Sequence, residues 1–592
     1  MGLENLVLAG DVSRVKVLPE QTRAFEIFAA SFVLTFFRDA EKTTDARIAR
    51  TSQFRREKLR LTKLAGKLPI DASLIRLARL WDSNLVCLLH GPGGSGKSAV
   101  MELLHDYGRE YCSFVGEIFT PNTIIVSALT GVAATLINGR TIHSVAHLNK
   151  KTKSITRAEK EQWQHTRLLI IDEISFASKQ DIVNIDEKVK YLKDNATTPY
   201  GGLNVIFCGD FRQLEPVSEG AIQIYQEEFV EFHGAINTYI ELHGMHRYRF
   251  DLPWGNLLTR LRDGAMSDDD VDVVNTRVVK KDTELPTNIS YATYRNIDRT
   301  SINNGLFHKY CNQNDIEEKD LQDCVIIFSS DLERKAGNKT FSTPSNKWET
   351  FFWTNCGEGD CKPAPFNNPF DPVLLLYYKR PMMVVINADV DHGVANGSRC
   401  CITHLHLKPG ETYRKIKFGS LEIPAVRANQ ISWATMKHED ENIVPRIFNI
   451  KPKLTTFFAR VPYPDSMQPG TGKNKVTLKV TMRGTQLPIV CNNATTGHKL
   501  QGTSIESLFV HASTTVRNWM YVVLSRVKTL KGLYLRQPLD KKDLPKFNQI
   551  PEKLKELVTL LRQNKLKTAL SNEDYKKIFE EDFHKLVAKP SS

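Results

Sequence analysis

Gly91-Pro92-Gly93-Gly94-Ser95-Gly96-Lys97-Ser98 follows directly on the apolar run Leu85-Val86-Cys87-Leu88-Leu89. No other stretch restricts the fold as tightly. A buried strand, a glycine-rich turn and Gly-Lys-Ser opening a helix is the order of a phosphate-binding loop. Glycines let backbone N–H groups turn inward at a helix N-terminus and form an anion cradle. Lys97 can then reach the β- and γ-phosphates of ATP, and the Ser98 hydroxyl can ligate Mg²⁺.

The residues after the loop alternate in the way such an ATPase requires. Strands are expected at Thr123–Ser127, Arg167–Ile171 and Leu203–Cys208, each followed by a polar cluster and then helix. Apolar strands alternating with helices make a parallel sheet, whose functional groups gather at the strands' carboxyl ends. Asp172-Glu173 closes the third strand. A carboxylate there can hold Mg²⁺ across from Ser98, and its neighbour can orient and deprotonate the attacking water. Gln213, just past the fourth strand, is a neutral amide able to bond a γ-phosphate and release it after hydrolysis.

The charge balance of +13 suits a polyanionic partner, although a well-solvated surface accounts for it equally. Between Arg47 and Lys67 eight residues are Lys or Arg and only Glu57 is acidic, a solvated helix face, a nucleic-acid patch or an import signal. Ten cysteines without regular spacing are expected to be reduced thiols. The apolar run Ile27–Phe37 is too short for a bilayer, so no membrane partner is expected.

The ordered set resembles motifs I to III of superfamily 1 helicases, above all the PIF (petite integration frequency) branch with its Helitron-transposon relatives. It comprises the P-loop, Thr130-Gly131-Val132-Ala133-Ala134, Gly139 to Ser144, Asp172-Glu173, and Gly209 to Val217. Leu242 to Arg247 resembles motif IV, Gln486 to Thr503 motif V, Tyr521 to Val527 motif VI, and Asn387 to Gly397 the entry to the family's β-barrel insertion. The resemblance implies Gln21 as the adenine reader and Arg247 and Arg526 as arginine fingers from a second RecA-like domain. Gln501 and Gly502 join Gly91 to Ser98 as nucleotide-binding candidates. Thr130, Thr141, His143, Thr496, His498 and Lys499 would line a single-strand track, where hydroxyls bond phosphate without reading sequence and His stacks on bases.

The expected architecture is α/β: two RecA-like P-loop domains with a small inserted β-barrel (SH3-like) domain and a short wedge insertion. Residues 1–83 form a helical lead, 84–237 the first RecA-like domain, 238–373 with 481–537 the second, 374–480 the barrel and 538–592 a basic helical tail. The wedge, 144–166, carries Lys150, Lys151, Lys153 and Arg157 and is expected to split the duplex. The implied activity is an ATP-dependent DNA helicase using ATP and Mg²⁺, moving 5′ to 3′ on single-stranded DNA and opening forked DNA in replication, repair, recombination or telomere maintenance. An RNA helicase, a transposon or viral helicase module and a nucleotide-binding scaffold are the alternatives. The nucleus is the expected compartment, with mitochondrial or viral settings open.

Three departures from the family pattern stand out. An insertion separates Gln21 from Gly91, Gly497 occupies a position usually aliphatic, and the segment before motif V is atypical. Two other patterns are set aside. His404-Leu405-His406 matches a nuclease histidine pair but lies in an alternating, strand-like run. Cys356 and Cys361 lack a second pair at zinc-site spacing.

Overall fold

The computed structural model describes residues 18–43, 84–216, 220–312, most of 324–462, and 477–568. The basic run 47–67 and the Cys356–Cys361 loop lie outside the described residues, as do Asn387 and Val217. The chain divides into two compact units, Met1–Ala265 with Asn548–Ser592, and Met266–Phe547.

The first unit is built on six strands: β1 (Val86–His90), β2 (Ile124–Ala128), β3 (Arg140–Thr141), β4 (Leu168–Asp172), β5 (Asn204–Gly209) and β6 (Thr238–Glu241). Their order is β3-β2-β4-β5-β1-β6, with every pairing parallel. β1, β4 and β5 are buried along their whole length, which is why they read as unbroken apolar runs rather than alternating ones. Cys87 and Leu89 point into a core shared with helices α1 (Pro19–Thr43) and α2 (Lys97–Val115). Val86 and Leu88 face the opposite core, built with α3 (Lys179–Leu192) and α5 (Glu552–Thr568). Helix α4 (Leu252–Arg262) ends the unit's first stretch.

Two expected boundaries move. A start of the second domain at residue 238 conflicts with β6, which pairs in register with β1 from Cys87↔Thr238 to His90↔Glu241. A four-residue strand carries no mark of the sheet it will join, and here the first sheet supplies the open edge beside β1. The tail also divides. Pro538 to Phe547 stays with the second unit, whereas α5 belongs to the first. Leu554, Leu557 and Leu561, spaced three and four apart, form one apolar stripe of α5 buried at 1–3% exposure. That stripe makes the helix part of the first unit's core.

The second unit contains a four-stranded parallel sheet, in the order Ala494–Thr496, Ser290–Thr293, Leu508–Val510, Leu533–Leu535. Between the first two of these in sequence lies a β-rich region larger than expected. It opens with Val325–Phe328, which pairs antiparallel with Val373–Leu376 and parallel with Leu421–Arg427. It closes with Ile489–Cys491, so the inserted region spans about 325–491 rather than 374–480. Val325-Ile326-Ile327-Phe328 is as apolar as a buried parallel strand, and pattern alone does not separate the two environments. Three sheets of four, four and five strands make up the region, and each keeps two edge strands among the described residues.

Candidate ATP site and strand-contacting residues

The loop Gly91–Ser98 connects β1 to α2 in the conformation its glycines permit. Gly94 and Gly96 take φ values of 87° and 94°, in the left-handed region that excludes most side chains. Space is short as well. A β-carbon on Gly94 would lie 2.5 Å from Arg247 Cβ, and one on Gly96 would lie 1.9 Å from Gln21 Nε2. The loop is therefore a cradle that other side chains already line, of the glycine-rich kind that takes phosphate at a helix N-terminus. Lys97 Nζ donates to the carbonyls of Gly91 at 2.6 Å and Pro92 at 3.0 Å, folded over the hollow where phosphate oxygens would replace those acceptors. Ser95 is buried and its Oγ has no hydrogen-bond partner, while Ser98 is exposed at the helix start.

Gln21 reaches this loop despite the long insertion between them in sequence. Its Oε1 accepts from Leu18 N at 2.9 Å, and its Nε2 donates to Ser95 O at 3.4 Å. Rigid placement comes from α1, whose Phe25, Phe28 and Phe32 are buried in the core beside α2.

Asp172 and Glu173 end β4 as expected. Asp172 Oδ1 accepts from Glu173 N at 2.8 Å, and Glu173 itself adopts φ 55°, an uncommon backbone for a residue with a side chain. Burial, then the adjacent Glu173, push the Asp172 carboxyl above the ordinary range, against the pull of Lys97. Burial also pushes the Lys97 ammonium down, opposed by Asp210, Asp172 and Glu173. Lys97 and three carboxyl groups thus share one electrostatic environment at the carboxyl ends of β4 and β5. Ser98 and Asp172 offer hard oxygen ligands of the kind Mg²⁺ takes beside substrate phosphates. Among the described residues no group of three or more His, Cys, Asp or Glu forms a closed metal cage. Gln213 is 3% exposed and its N–H is fixed by Asp210 O at 2.9 Å.

Arg247 requires a correction. It belongs to the first unit, on the turn after β6, where His246 N donates to Gly94 O at 3.0 Å. It therefore approaches the loop from the loop's own domain and is no finger from a second one. Arg526 does belong to the second unit, at 1% exposure. Its guanidinium donates to Val522 O at 2.7 Å, Ser525 Oγ at 2.8 Å and Thr503 O at 3.4 Å. Action on a phosphate requires it to exchange those acceptors. Gln501 is buried, and Gly502 next to it turns at φ 82°.

The strand-contacting candidates fall into two groups. Thr130 stands just past β2 and Thr141 ends β3, neighbours in the sheet. Both hydroxyls cap short helices, Thr130 accepting from Ala133 N at 3.2 Å and Thr141 from Ser144 N at 3.4 Å. His143 is half-buried next to them. In the second unit Thr496, His498 and Lys499 open the turn Gly497–Leu500. Lys499 Nζ donates to Asn396 Oδ1, within the β-rich region, and burial followed by Arg299 lowers its pKa to about 8. Gly497 now has a reason. A β-carbon there would lie 2.4 Å from Trp519 Nε1, so the fully buried indole takes the space an aliphatic side chain would fill.

The wedge is a small capped helix. Thr156 and Glu159 form a reciprocal capping box, and Trp163 anchors the helix Arg157–Gln164 into the core against α3. Lys150 pairs with Glu159 and Arg157 with Glu161, leaving Lys151 and Lys153 exposed. His404 and His406 lie on Arg399–Leu407, where His406 stacks on Trp433 at 4.6 Å and bonds Thr435 Oγ1 at 3.1 Å, a sheet-face role.

Sequence reasoning missed a buried polar row behind the loop. His90, Asp210 and Glu241 end β1, β5 and β6, three adjacent strands. Arg262 grips Asp210 with two bonds of 2.9 Å, and Arg562 grips Glu241 at 3.0 and 3.3 Å. Asp210 lay inside a recognised motif, but nothing local marks an arginine more than 300 residues away as its neighbour's partner.

A parallel sheet carrying a P-loop, an acidic strand end and a glutamine against the loop defines the P-loop nucleotide-binding class of fold. Residues 77–233 match the family model described as PIF1-like helicase. The chain is 30% identical over 190 residues to the ATP-dependent DNA helicase PIF1 of Saccharomyces cerevisiae, covering 30% of this chain and 21% of that one. It is 33% identical over 198 residues to the Candida albicans PIF1, again 30% and 21%. The chain thus spans about a fifth of the length of these curated relatives. A longer match, 24% identical over 514 residues, covers 77% of this chain and 88% of the uncharacterized protein 030L of Invertebrate iridescent virus 6. Among solved structures, Pif1 from Bacteroides with ADP-AlF3 and single-stranded DNA superposes with TM-score 0.54 at 20% identity, covering 84% of this chain and 97% of that one. Pif1 from Candida albicans gives 0.53 at 19%, covering 83% and 98%. Residues 77–233 are thus similar to the PIF1-like helicase family, and the fold of the chain is that of the Pif1 structures.

Proposed function

We propose that the protein is an ATP-dependent DNA helicase that moves along single-stranded DNA, 5′ to 3′, and opens forked duplexes. One observation carries this reading: Lys97 shares its environment with Asp172, Glu173 and Asp210 at a glycine cradle lined by Gln21. Thr130 follows β2 and Thr141 ends β3 of the same sheet. Gln21 reads the adenine edge, the loop amides and Lys97 hold the phosphates, and Glu173 orients and deprotonates the attacking water. Ser98 and Asp172 would hold Mg²⁺, which supplies charge neutralisation to the phosphates. Gln213 reports the γ-phosphate to the segment that begins at Asp210. A base-pair step costs about 1.4 kcal/mol of stacking on average, so a few altered phosphate contacts per cycle outweigh it.

The single-strand contacts divide between Thr130, Thr141 and His143 in one unit and Thr496, His498 and Lys499 in the other. Alternating grip by the two groups converts turnover into steps. The long match to a viral protein favours the helicase module of a virus or mobile element over a nuclear housekeeping role. Strand displacement on forked, 5′-tailed and 3′-tailed duplexes tests the reading. Forked and 5′-tailed substrates should open with ATP and stay closed with Lys97→Ala. Opening by Lys97→Ala, or ATP-dependent opening of 3′-tailed substrates alone, overturns the mechanism or the direction.

A further inference from the structure

The polar row behind the P-loop reaches an element that the ATPase motifs do not include. Asp210 is fully buried and begins the segment leading to Gln213: its Oδ1 accepts from Arg212 N at 3.0 Å and its O from Gln213 N at 2.9 Å. His90 Nε2 lies 3.5 Å from Asp210 Oδ1, and its Nδ1 lies 3.2 Å from Tyr239 Oη and 3.9 Å from Glu241 Oε1. His90 immediately precedes Gly91, whose N donates to Gly209 O at 3.2 Å. The far end of the row, Glu241, is 7% exposed and is gripped by Arg562 of α5.

We propose that Arg562 of the C-terminal helix is a positioning residue for ATP hydrolysis. Through Glu241 and His90 it fixes both Asp210, and with it Gln213, and the entry to the P-loop. The inference rests on the ATPase reading of the site. Its physical basis is charge balance around the buried Asp210 and the nearly buried Glu241. Two arginines face two carboxylates across a histidine that burial keeps neutral. Removal of Arg562 takes away the guanidinium paired with Glu241, where His90 and His243 each stand 3.9 Å away, while Arg262 and Arg212 stay beside Asp210. The relief the proposal assigns is a shift of the turn from Asp210 to Gln213. An ion pair whose arginine is this exposed adds little to stability by itself, so its effect belongs on Gln213 rather than on the melting temperature.

The C-terminal helix also joins the domain where the chain changes units. Gly264, at φ 68°, lies so close to Asn548 and Ile550 that a β-carbon would stand 2.5 Å from Asn548 O. The two segments where the chain changes units thus meet within the first unit, with Arg262 on α4 before one of them and Arg562 on α5 after the other.

The test uses the full chain and four proteins: wild type, Arg562→Ala, Glu241→Gln and the double variant, with Arg562→Lys as the conservative control. The expected result for Arg562→Ala is a five- to tenfold fall in kcat for ATP. KM and fluorescent ADP affinity should stay within twofold and Tm within about 2 °C. The double variant should be no worse than the poorer single one, since residues acting as a unit are not additive, and Arg562→Lys should recover at least half of kcat. Amide exchange of residues 209–216 should quicken in Arg562→Ala, a readout independent of activity. Unchanged kcat with unchanged exchange, or strictly additive single effects, overturns the proposal. A wild type without ATPase activity, yet with the exchange difference intact, overturns the enzymatic reading while leaving the positioning contact standing.

Discussion

Arg262→Ala is the substitution whose cost the structure fixes best. Asp210 is wholly buried, Arg262 is 11% exposed, and two bonds of 2.9 Å join them. Burial alone would raise the Asp210 pKa; Arg262 and His90 outweigh it and hold the carboxyl well below its usual range. Breaking a buried pair by removing one partner costs about 3–5 kcal/mol, because the remaining charge stays in low dielectric. Asp210 keeps His90 and the Arg212 amide, so the lower end, about 3 kcal/mol, applies. The second bond of Arg262, to half-exposed Asp263, adds no more than about 1 kcal/mol. A domain of this size loses roughly 2–4 °C per kcal/mol, which gives a fall of about 6–12 °C in Tm for the first unit. Calorimetry reads it, with the second unit's transition as an internal reference. Asp210→Asn on top of Arg262→Ala should recover part of the loss, since an amide needs no counter-charge. The sign with pH is fixed too. A carboxylate with a depressed folded pKa contributes stability above its unfolded pKa of about 3.9 and loses it as pH falls further, so wild type and variant should converge in acid. A Tm change under 2 °C, or a double variant as unstable as the sum of its parts, refutes the account of the buried row.

Further expectations follow from the same geometry. Gly497→Val should destabilise the second unit by about 1–3 kcal/mol, because Trp519 already occupies the space; an unchanged second transition in calorimetry would contradict this. Gly96→Ala should lose nucleotide affinity, measured with a fluorescent ADP analogue, since its φ of 94° and the contact with Gln21 exclude a methyl group. Lys499, whose pKa is lowered to about 8, binds phosphate only when protonated, so single-strand affinity should fall between pH 7 and 9 in the wild type. Lys499→Arg keeps its charge and should flatten that profile; identical profiles would remove Lys499 from the strand track.

Local chemistry was the legible part of this chain. The P-loop, the acidic end of β4 and the turn at Gln213 are each written in fewer than ten consecutive residues, and each lies at a strand's carboxyl end in the structure. Long-range pairing was not legible. Thr238–Glu241 has the same composition whichever sheet receives it, and so Arg247 was assigned to the wrong domain. The apolar stripe Leu554, Leu557, Leu561 announces a buried face without naming its partner, which proved to be the first unit's sheet. Val325–Phe328 reads as a buried strand in either a parallel or an antiparallel setting. Gln21 shows the reverse case. An insertion that weakened its link to the loop in sequence leaves their contact intact in space.

ATP turnover with and without single-stranded DNA, in wild type and Lys97→Ala, tests the central claim most directly. The wild-type rate should rise severalfold on adding single-stranded DNA, and the variant should be inactive in both conditions. A wild-type rate indifferent to the strand, or a variant that hydrolyses ATP as fast as the wild type, would contradict it.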